Sequence, residues 1–388
     1  MAALLAVHDT LLSAVRADDY AGWDPFDGLN SRVFQSLGLQ RFGFARLAWI
    51  QLFKRSPINL REAAGVPKAR NPKGIGLFIL GLVEDYRRTQ DEAVLQEAMR
   101  LGDWLLAHRC DPAQWGQAAW GYHFDWEARA FHVPKGKPNI ITTVYVTLAL
   151  NALAELTGHA DYAVAVRQAG EFIAERMYAE GEAGPYFRYI PGENALVHNA
   201  SLWGAAVAAL AGRLLGRDDY QQRARAAIET SLKAQEADGS WPYGKRGHHT
   251  FVDSFHTGFN LEALHRYRQW SGDSSVTEPI ARGLRYYRDN FFLADGTPKY
   301  YNAGVYPIDM HCTAQAVLTL CRVGMTPEDR ALAARVLRWS CENMRDAQSG
   351  LFYYQRDRFF TNKIPYIRWT QAWMYYALGV ALNEGLDG

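Results

Sequence analysis

The sequence lacks a large net charge, cysteine motifs and long apolar runs, and each absence argues against a class of protein. Its 42 Lys and Arg residues nearly balance its 41 Asp and Glu residues, so the basic excess of nucleic-acid-binding domains is missing and we expect no nucleic-acid partner. The four cysteines form no C-x-x-C pair and no zinc spacing, which indicates small buried side chains in a reducing compartment. We expect no metal ion and no other cofactor.

The N-terminus and the apolar segments give no targeting or membrane signal. Residues 1–9 have no basic region and reach a charge too early for a secretory signal. No apolar run approaches the roughly 18 residues that a membrane-spanning helix needs. We therefore predict a soluble, cytoplasmic protein, while the oligomeric state is left open by these features.

Five Gly-aromatic turns follow one another at similar spacing, and each precedes a polar helix start that often contains histidine. From Gly121 the turns recur after 63, 55, 57 and 54 residues, which is the mark of a repeat architecture. The turns are 120–122, 184–187, 239–243, 296–300 and 350–353. The polar helix starts are 139–143, 198–201, 254–257, 309–312 and 368–371.

Apolar and amphipathic helices alternate between these turns. Segments that are apolar nearly all round, as in helices buried on most sides, are 142–157, 201–215, 257–267, 313–323 and 370–382. Segments with one apolar stripe and one solvated face are 91–108, 160–178, 218–235, 277–292 and 327–345. With a further helix start at Lys73, the alternation predicts an all-α fold, an (α/α)6 toroid of helical hairpins with short aromatic-rich turns. We expect a single domain over residues 1–388, of which residues 1–70 are less regular.

In such a ring the turns that precede the inner helices all lie on one face, and we expect the functional cleft there. Helix N-termini present unpaired N–H groups and a partial positive charge, which favours anionic or polyhydroxylated ligands. Aromatic side chains in the turns suit stacking on sugar rings, although they can equally anchor the turns by packing. Those expected on the cleft wall are Trp120, Tyr122, Trp126, Trp241, Tyr243, Tyr300, Tyr301, Tyr306 and Tyr366.

Three histidines occupy matching positions at inner-helix starts, without the tight local ligand spacing of a zinc site. The catalytic candidates are His198, His256, His311, Tyr306, Asp253 and Asp309. Each carboxylate precedes a histidine by two or three residues and could orient or charge that imidazole, or could be a helix N-cap. The candidate substrate-binding residues are Asn139, Asn199, Arg368, Gln371, Gln315, Trp241, Tyr243, Tyr366 and Trp126.

Two reactions fit these candidates. Proton abstraction at C5 of a uronic acid needs a base such as His or Tyr, with Arg, Asn or Gln to neutralise the adjacent carboxylate. Glycoside hydrolysis needs two carboxyl groups about 5.5 Å or 6.5–9.5 Å apart, for which Asp253, Asp309 and Asp125 are available. Because the cleft is richer in His, Tyr and amides than in paired acids, we favour an epimerase or lyase over a hydrolase. A non-catalytic saccharide-binding assembly factor is a third hypothesis.

The segment 235–241 has the Q-x-x-D-G-x-W form of the repeat motif in squalene-cyclase-like terpene cyclases. In that family the motif ties helices to turns and carries no chemistry, so the similarity supports a helical ring. The D-x-D-D and D-D-x-x-D motifs of terpene chemistry are absent. A terpene or prenyl-type cyclase is therefore the outlying alternative.

Six further stretches carry a resemblance to a known family. They are 24–31, 54–59, 71–74, 121–126, 253–258 and 306–311. Here the chain resembles bacterial proteins found with exopolysaccharide and capsule biosynthesis genes, the VpsJ-like polysaccharide biosynthesis proteins. The resemblance implies an α/α-toroid role in making or tailoring a surface polysaccharide and a saccharide or lipid-linked saccharide as substrate; it implies no particular reaction. The segment 364–373 is also similar to the last inner helix of toroid enzymes that act on uronic acids or sugars.

Two stretches outside the repeats allow more than one interpretation. Residues 41–55 combine basic and large apolar side chains, as in a basic amphipathic helix that makes peripheral contact with a membrane and meets a lipid-linked sugar. The same pattern fits an outer helix of the ring. Asp24 and Asp27 lie in a stretch without helical period, which fits a substrate loop or a capped turn.

Overall fold

The computed structural model describes residues 2–127, 132–244 and 250–386. In chain order its α-helices are α1 (Ala2–Ala17), α2 (Arg32–Ser36), α3 (Gly43–Arg55), α4 (Pro72–Thr89), α5 (Glu92–Ala107), α6 (Pro112–Trp115), α7 (Ile140–Thr157), α8 (Ala160–Phe172), α9 (His198–Leu215), α10 (Asp218–Leu232), α11 (Ser254–Ser271), α12 (Thr277–Asn290), α13 (Met310–Thr319), α14 (Pro327–Asn343) and α15 (Ala372–Asn383). Single π-helical turns at Ile173–Met177, Leu320–Gly324 and Ile367–Gln371 adjoin α8, α13 and α15. Short 3₁₀ turns span Asp27–Asn30, Leu39–Arg41 and Ser274–Val276.

Helices α4, α7, α9, α11, α13 and α15 form an inner ring in which each helix packs on the next, and α15 packs back on α4. Helices α5, α8, α10, α12 and α14 each return along the outside of the inner helix before them. The sixth outer position is filled by α1, which packs on α15. The prediction of an all-α (α/α)6 toroid is therefore confirmed, and the less regular N-terminal part supplies the outer helix that completes the ring.

The inner helices start where the polar repeat positions predicted, because several of those residues are helix caps. Asn71, Asn139, Asp253 and Asp309 each accept a backbone N–H from the first turn of the helix that follows. A side-chain oxygen in this position satisfies an N–H group that has no partner inside the helix. These helix starts could therefore be predicted from the sequence partly because polar capping residues mark them.

The inner helices are apolar on most sides because they are enclosed by neighbours. Helix α7 has the length and composition of a membrane-spanning segment, yet 72% of it is buried within the ring, as expected of a core helix. Helices α4 and α7 approach so closely that a Cβ on Gly76 would lie 3.0 Å from the carbonyl oxygen of Tyr145. A larger residue at position 76 would therefore push the backbone of α7 away by a few tenths of an ångström.

A buried polar cluster ties the first and last helices to α4. His8 Nε2 lies 3.0 Å from Asp85 Oδ2, and the Tyr375 hydroxyl donates to the same oxygen. Burial lowers the pKa of His8, but the adjacent carboxylates, above all Asp85, outweigh it, so the pKa of His8 is raised. The same contacts outweigh burial at Asp85 and lower its pKa. The cluster therefore stabilises the closure of the ring through charge as well as packing.

The strands are two residues long and lie in the connections that lead to inner helices. They are β1 (Trp126–Glu127), β2 (His132–Val133), β3 (Tyr178–Ala179), β4 (Tyr186–Phe187), β5 (Ile308–Asp309), β6 (Gln355–Arg356) and β7 (Thr361–Asn362). All pairings are antiparallel, with β1 on β2, β3 on β4, and a three-stranded sheet in the order β5-β6-β7. These short pairs stiffen the loops at the N-terminal ends of the inner helices.

Candidate active site

A cavity of about 450 Å³ lies at the N-terminal ends of the inner helices, within the size range of small-molecule sites. Its wall is mostly aromatic, and its polar groups are cationic, imidazole or amide. The lining residues are Phe26, Lys54, Lys73, Tyr122, Phe124, Trp126, Ile141, Tyr189, Ala195, Val197, Asn199, Tyr243, Phe251, Phe255, His256, Phe259, Tyr300, His311, Arg368 and Trp369. Side chains from all six inner helices or their first turns, together with the N-terminal segment, thus meet in one place.

His256 is held in a defined orientation by the carboxylate that precedes it. Asp253 accepts the backbone N–H of His256 through Oδ1 at 2.8 Å and contacts the ring Nδ1 through Oδ2 at 2.7 Å. A carboxylate on Nδ1 keeps the proton there and leaves Nε2 as the atom that can accept a proton from a ligand. Asp253 is therefore both the N-cap of α11 and the partner that orients this imidazole.

His311 is a buried imidazole without a hydrogen-bond partner among the described residues. Neither Nδ1 nor Nε2 has one, although the ring is 1% exposed and lies on the cavity wall. It stacks on Phe255 and contacts Trp369 and Trp373. Burial, with the neighbouring positive charges of Lys73 and Arg368, lowers its pKa well below the usual value. A neutral imidazole offers one N–H donor and one acceptor, and buried polar atoms of this kind normally require a partner.

Arg368 is fixed at the cavity wall by a buried ion pair with Asp24. Its Nε and Nη2 donate to the two carboxylate oxygens of Asp24 at 2.6 and 2.8 Å, the bidentate geometry that orients a guanidinium best. The remaining Nη1 donates no bond within the described part of the chain. The π-helical turn Ile367–Gln371 carries Arg368 and Trp369, and such turns are frequent at functional sites.

Asp24 is itself held by a second buried pair. Arg61 donates from Nε to Asp27 Oδ1 at 2.7 Å, from Nη2 to the carbonyl of Asp24 at 2.8 Å, and from Nη1 to the hydroxyl of Tyr366 at 2.8 Å. Asp24, Asp27 and Arg61 are fully buried. This part of the N-terminal segment is therefore a rigid support for Arg368.

Lys73 places a primary amine in an aromatic cage on the cavity wall. Its Nζ lies 4.7, 5.1 and 5.4 Å from the ring centroids of Tyr145, Trp373 and Phe259. Among the described residues no hydrogen bond or ion pair reaches this atom. Burial, reinforced by the charge of Arg368, lowers its pKa well below the usual value. In the sequence Lys73 marks only a helix start, because a single lysine ahead of an apolar run carries no signal of burial.

The cavity wall has a strong bias of charge. Lys54, Lys73 and Arg368 contribute basic groups and two histidines contribute imidazoles, whereas no described lining residue is Asp or Glu. Within the described part of the chain, no group of three or more His, Cys, Asp or Glu side chains is arranged to hold a metal ion. The wall thus suits a ligand that carries negative charge and planar or apolar faces.

The structure brings six of the predicted site residues together on this wall. They are His256, His311, Asn199, Arg368, Tyr243 and Trp126. Asn199 is buried, and its Oδ1 has no partner among the described residues. Tyr122 and Tyr300, expected on the wall from their turns, also line it.

Two predicted residues act just behind the wall. Asp253 orients His256 as described above. Asp309 accepts the backbone N–H of His311 at 2.9 Å and the indole N–H of Trp369 at 3.1 Å, so it positions an aromatic ring of the lining. Burial raises the pKa of Asp309 to about 6.

The other predicted site residues lie away from the cavity wall. His198 Nδ1 lies 3.2 Å from the hydroxyl of Ser231 and is fully buried, while Tyr306 is 43% exposed. The remaining ones bond to backbone or to buried side chains and serve as caps and turn anchors. They are Asn139 (Oδ1 to the Thr142 N–H), Gln371 (both amide atoms to the Phe352 backbone), Gln315 (to Glu262 and Thr319), Trp241 (to the Ser231 carbonyl) and Tyr366 (to Arg61).

Three further aromatic or acidic residues that were expected at the cleft from the sequence do not line the cavity. Trp120 is fully buried and donates from its indole to the Leu105 carbonyl at 2.8 Å. Asp125 accepts the backbone N–H of Lys135 at 2.6 Å and caps a turn. Tyr301 is partly exposed and does not line the cavity.

No family model and no curated protein matches this chain, so the similarity to VpsJ-like proteins stays a prediction. Solved structures of the same fold do match. A cellobiose 2-epimerase from Bacillus thermoamylovorans has a TM-score of 0.62 at 13% identity, over 81% of this chain and 88% of its own. The unsaturated glucuronyl hydrolase of Bacillus sp. GL1 has a TM-score of 0.63 at 13% identity, over 98% and 96%.

A third example is a D-mannose isomerase, with a TM-score of 0.59 at 12% identity over 81% of this chain and 87% of its own. At such identities the likeness establishes the fold and not the reaction. The chain is thus an (α/α)6 toroid with a cationic, aromatic cavity at the N-terminal ends of its inner helices.

Proposed function

We propose that this protein is a carbohydrate-processing enzyme that removes a proton from the carbon next to a sugar carboxylate, by epimerisation or elimination at C5 of a uronic acid. The observation that carries the proposal is the charge of the cavity wall, where basic groups and imidazoles surround a space without a described carboxylate. Abstraction of such a proton builds negative charge on the substrate carboxylate, which fixed cationic groups stabilise.

The aromatic part of the wall supports a saccharide as the substrate. Tyr122, Trp126, Tyr243 and Trp369 offer flat faces with polar edges, which suit sugar rings. Proteins of the same fold include a cellobiose epimerase, a mannose isomerase and a hydrolase of unsaturated glucuronyl saccharides. Their names support a carbohydrate substrate for this chain but do not select a reaction.

The two histidines have complementary properties for proton transfer. His256, with Nδ1 on Asp253, is the base that accepts the proton at Nε2. His311 is neutral, so it donates its N–H as a hydrogen bond to the negative charge that develops on the substrate and keeps that proton. Protonated His256 then returns a proton to the intermediate or to a leaving oxygen. Arg368 neutralises the carboxylate, and the Lys73 amine donates a hydrogen bond to it. All four side chains line the same cavity.

A hydrolase is the second candidate, because the glucuronyl hydrolase matches nearly the whole chain. The carboxylates that the sequence offered for hydrolysis support it less. Asp253 already contacts the imidazole of His256. Asp309 accepts N–H bonds from His311, Trp369 and Gln355. Neither lies on the cavity wall. A non-catalytic saccharide-binding factor and a terpene-type cyclase are not favoured by a specific contact.

The test is a panel of uronate-containing and neutral oligosaccharides incubated with the full chain in heavy water. An epimerase exchanges the C5 hydrogen with solvent, which NMR detects; a lyase yields an unsaturated product that absorbs in the ultraviolet; a hydrolase releases reducing ends. We expect exchange or ultraviolet absorption with acidic substrates only. Reducing ends without either signal would replace this proposal by the hydrolase.

Variants identify the groups that carry the reaction. His256→Ala and His311→Ala should each lower turnover by about 10²–10⁴-fold, the usual contribution of a general base or of a hydrogen-bond donor to developing negative charge. His108→Ala is the matched control, since this exposed histidine directly follows the C-terminal end of outer helix α5. Full activity of both cavity variants would show that the proton-transfer groups are assigned incorrectly.

A further inference from the structure

The segment 32–58 carries basic residues and no acidic residue. Its basic residues are Arg32, Arg41, Arg46, Lys54 and Arg55. Because the charges of the whole chain nearly balance, this segment carries a local positive excess. Arg46 pairs with Glu127 at 2.8 Å and Lys54 faces the cavity, while the other three are exposed.

Helix α3 turns an apolar stripe to solvent. Phe44, Ala48 and Leu52 are spaced by four residues and therefore share one face, and all three are exposed, Phe44 to 84% and Leu52 to 50%. The opposite face holds buried Ile50 and Phe53. A surface helix of a globular protein normally places charged residues where α3 places this stripe.

The hairpin of β6 and β7 extends this surface. Between its strands Phe359 is 86% exposed and Phe360 is also exposed, with exposed Arg358 and Lys363 beside them. The base of the hairpin adjoins the end of α3, because the Asn362 side chain donates to the carbonyl of Ser56 at 3.0 Å. We call the exposed side chains of residues 32–58 and 355–363 the basic apolar face.

The basic apolar face lies beside the cavity. Lys54 projects from α3 into the cavity wall, and Trp49 on the same helix donates to the carbonyl of Gly28 at 3.0 Å. Phe26, two residues earlier, also lines the cavity and lies 4.9 Å from Lys54 Nζ. Whatever binds this face is therefore held close to the site.

We propose that the basic apolar face docks on the surface of an anionic membrane. Phe44, Leu52 and Phe359 enter the boundary between headgroups and acyl chains, and Arg41 and Arg55 contact the lipid phosphates. Bulky apolar residues surrounded by basic ones are the combination that binds such surfaces. The proposal does not depend on the reaction; with the proposed function, it makes a membrane-associated saccharide the substrate.

The observations favour a lipid surface over other partners. A nucleic acid would be held by a basic stripe, whereas this face also exposes Phe44 to 84% and Phe359 to 86%. The exposed stripe of α3 lies on the outside of a helix rather than in a groove, and it is flanked by charges of one sign. Both properties fit a deformable, negatively charged, apolar layer.

The test measures sedimentation of the full chain with vesicles of phosphatidylcholine alone or mixed with phosphatidylglycerol. We expect binding to the anionic vesicles that weakens as salt is raised, and little binding to the neutral ones. Phe44→Ser combined with Leu52→Ser should weaken binding at least tenfold. Arg41→Glu combined with Arg55→Glu should remove the preference for anionic vesicles.

Matched controls make the same changes elsewhere on the surface. Val164→Ser with Leu214→Ser removes two exposed apolar side chains, and Arg335→Glu with Arg338→Glu reverses two exposed charges on α14. Both controls should bind as the wild type does, and circular dichroism checks that every variant is folded. The proposal would be overturned if the wild-type protein did not bind anionic vesicles, or if the control variants lost binding as much as the variants of the basic apolar face. So would a dimer in solution that the Phe44 and Leu52 changes convert to a monomer.

Discussion

Replacing Lys73 by methionine should stabilise the protein while impairing the cavity. The Lys73 side chain is 3% exposed, and its amine has no ion pair or hydrogen bond among the described residues, so folding must either desolvate its charge or remove its proton. Cation–π attraction to the three aromatic rings stabilises the charged amine by about 0.5–2 kcal/mol, which is less than the free energy needed to desolvate it. Replacing a buried ion pair by apolar side chains of similar volume is often stabilising by about 1–4 kcal/mol, and for the single buried charge of Lys73 we expect a gain of about 2 kcal/mol near pH 7.

The pH dependence of this gain follows from the direction of the pKa shift. The pKa of Lys73 is lowered in the folded state. At pH values between the folded-state and the unfolded-state pKa, the unfolded chain therefore binds one proton more than the folded chain. The unfolding free energy of the wild type then rises with pH, by at most about 1.4 kcal/mol per unit. The advantage of Lys73→Met should therefore be largest at low pH and should shrink as pH approaches the ordinary lysine value.

Denaturant unfolding followed by circular dichroism at several pH values measures this difference. Lys233→Met, at an exposed position on the outside of the ring, is the control and should change the unfolding free energy little at any pH. Turnover of an acidic saccharide by Lys73→Met should fall at least tenfold. The reasoning fails if Lys73→Met is less stable than the wild type across the pH range, because the amine would then have a partner.

Two further predictions concern the buried ion pairs. Asp24→Leu or Arg368→Met alone should cost about 3–5 kcal/mol, since each leaves a buried charge unpaired, whereas the double variant should recover most of that loss in unfolding experiments without recovering activity; additive losses would contradict the coupling. His8→Gln should destabilise the protein more at pH 6 than at pH 8. The pKa of His8 is raised in the folded state, so its charged contact with Asp85 stabilises the fold at low pH and is lost as the pH rises through that folded-state pKa. Equal losses in thermal melts at both pH values would refute this.

Most of the ring could be predicted from the sequence because its signals are local. Helical periodicity separates enclosed helices from half-exposed ones, and the observed outer helices end within a few residues of the predicted segments. The inner starts were visible because polar residues recur at each of them, and at four of the six these include a capping side chain. Helix α1 was not assigned to the ring, since the outer helix it forms belongs to the hairpin of α15 at the other end of the chain.

The site was harder to predict because the same repeat positions serve two purposes. Thr143, Ser201 and Gln371 stand near the starts of their inner helices, and each bonds the backbone of a preceding Gly-aromatic turn. Polar residues there therefore signal turn anchoring as well as chemistry. His198, which contacts Ser231, and His311, whose ring has no partner within the described chain, look equivalent in sequence and differ only in their surroundings.

The ion pair between Asp24 and Arg368 shows why the rest of the site could not be predicted from the sequence. Asp24 and Arg368 are 344 residues apart, and neither position lies in a motif that implies the other. Their pair forms only when the N-terminal segment meets the last inner helix, which is the same event that brings α1 onto α15. Closing the ring and assembling the cationic wall are therefore coupled, so a change that opens the junction of the chain ends should disable the site even where every lining residue is intact.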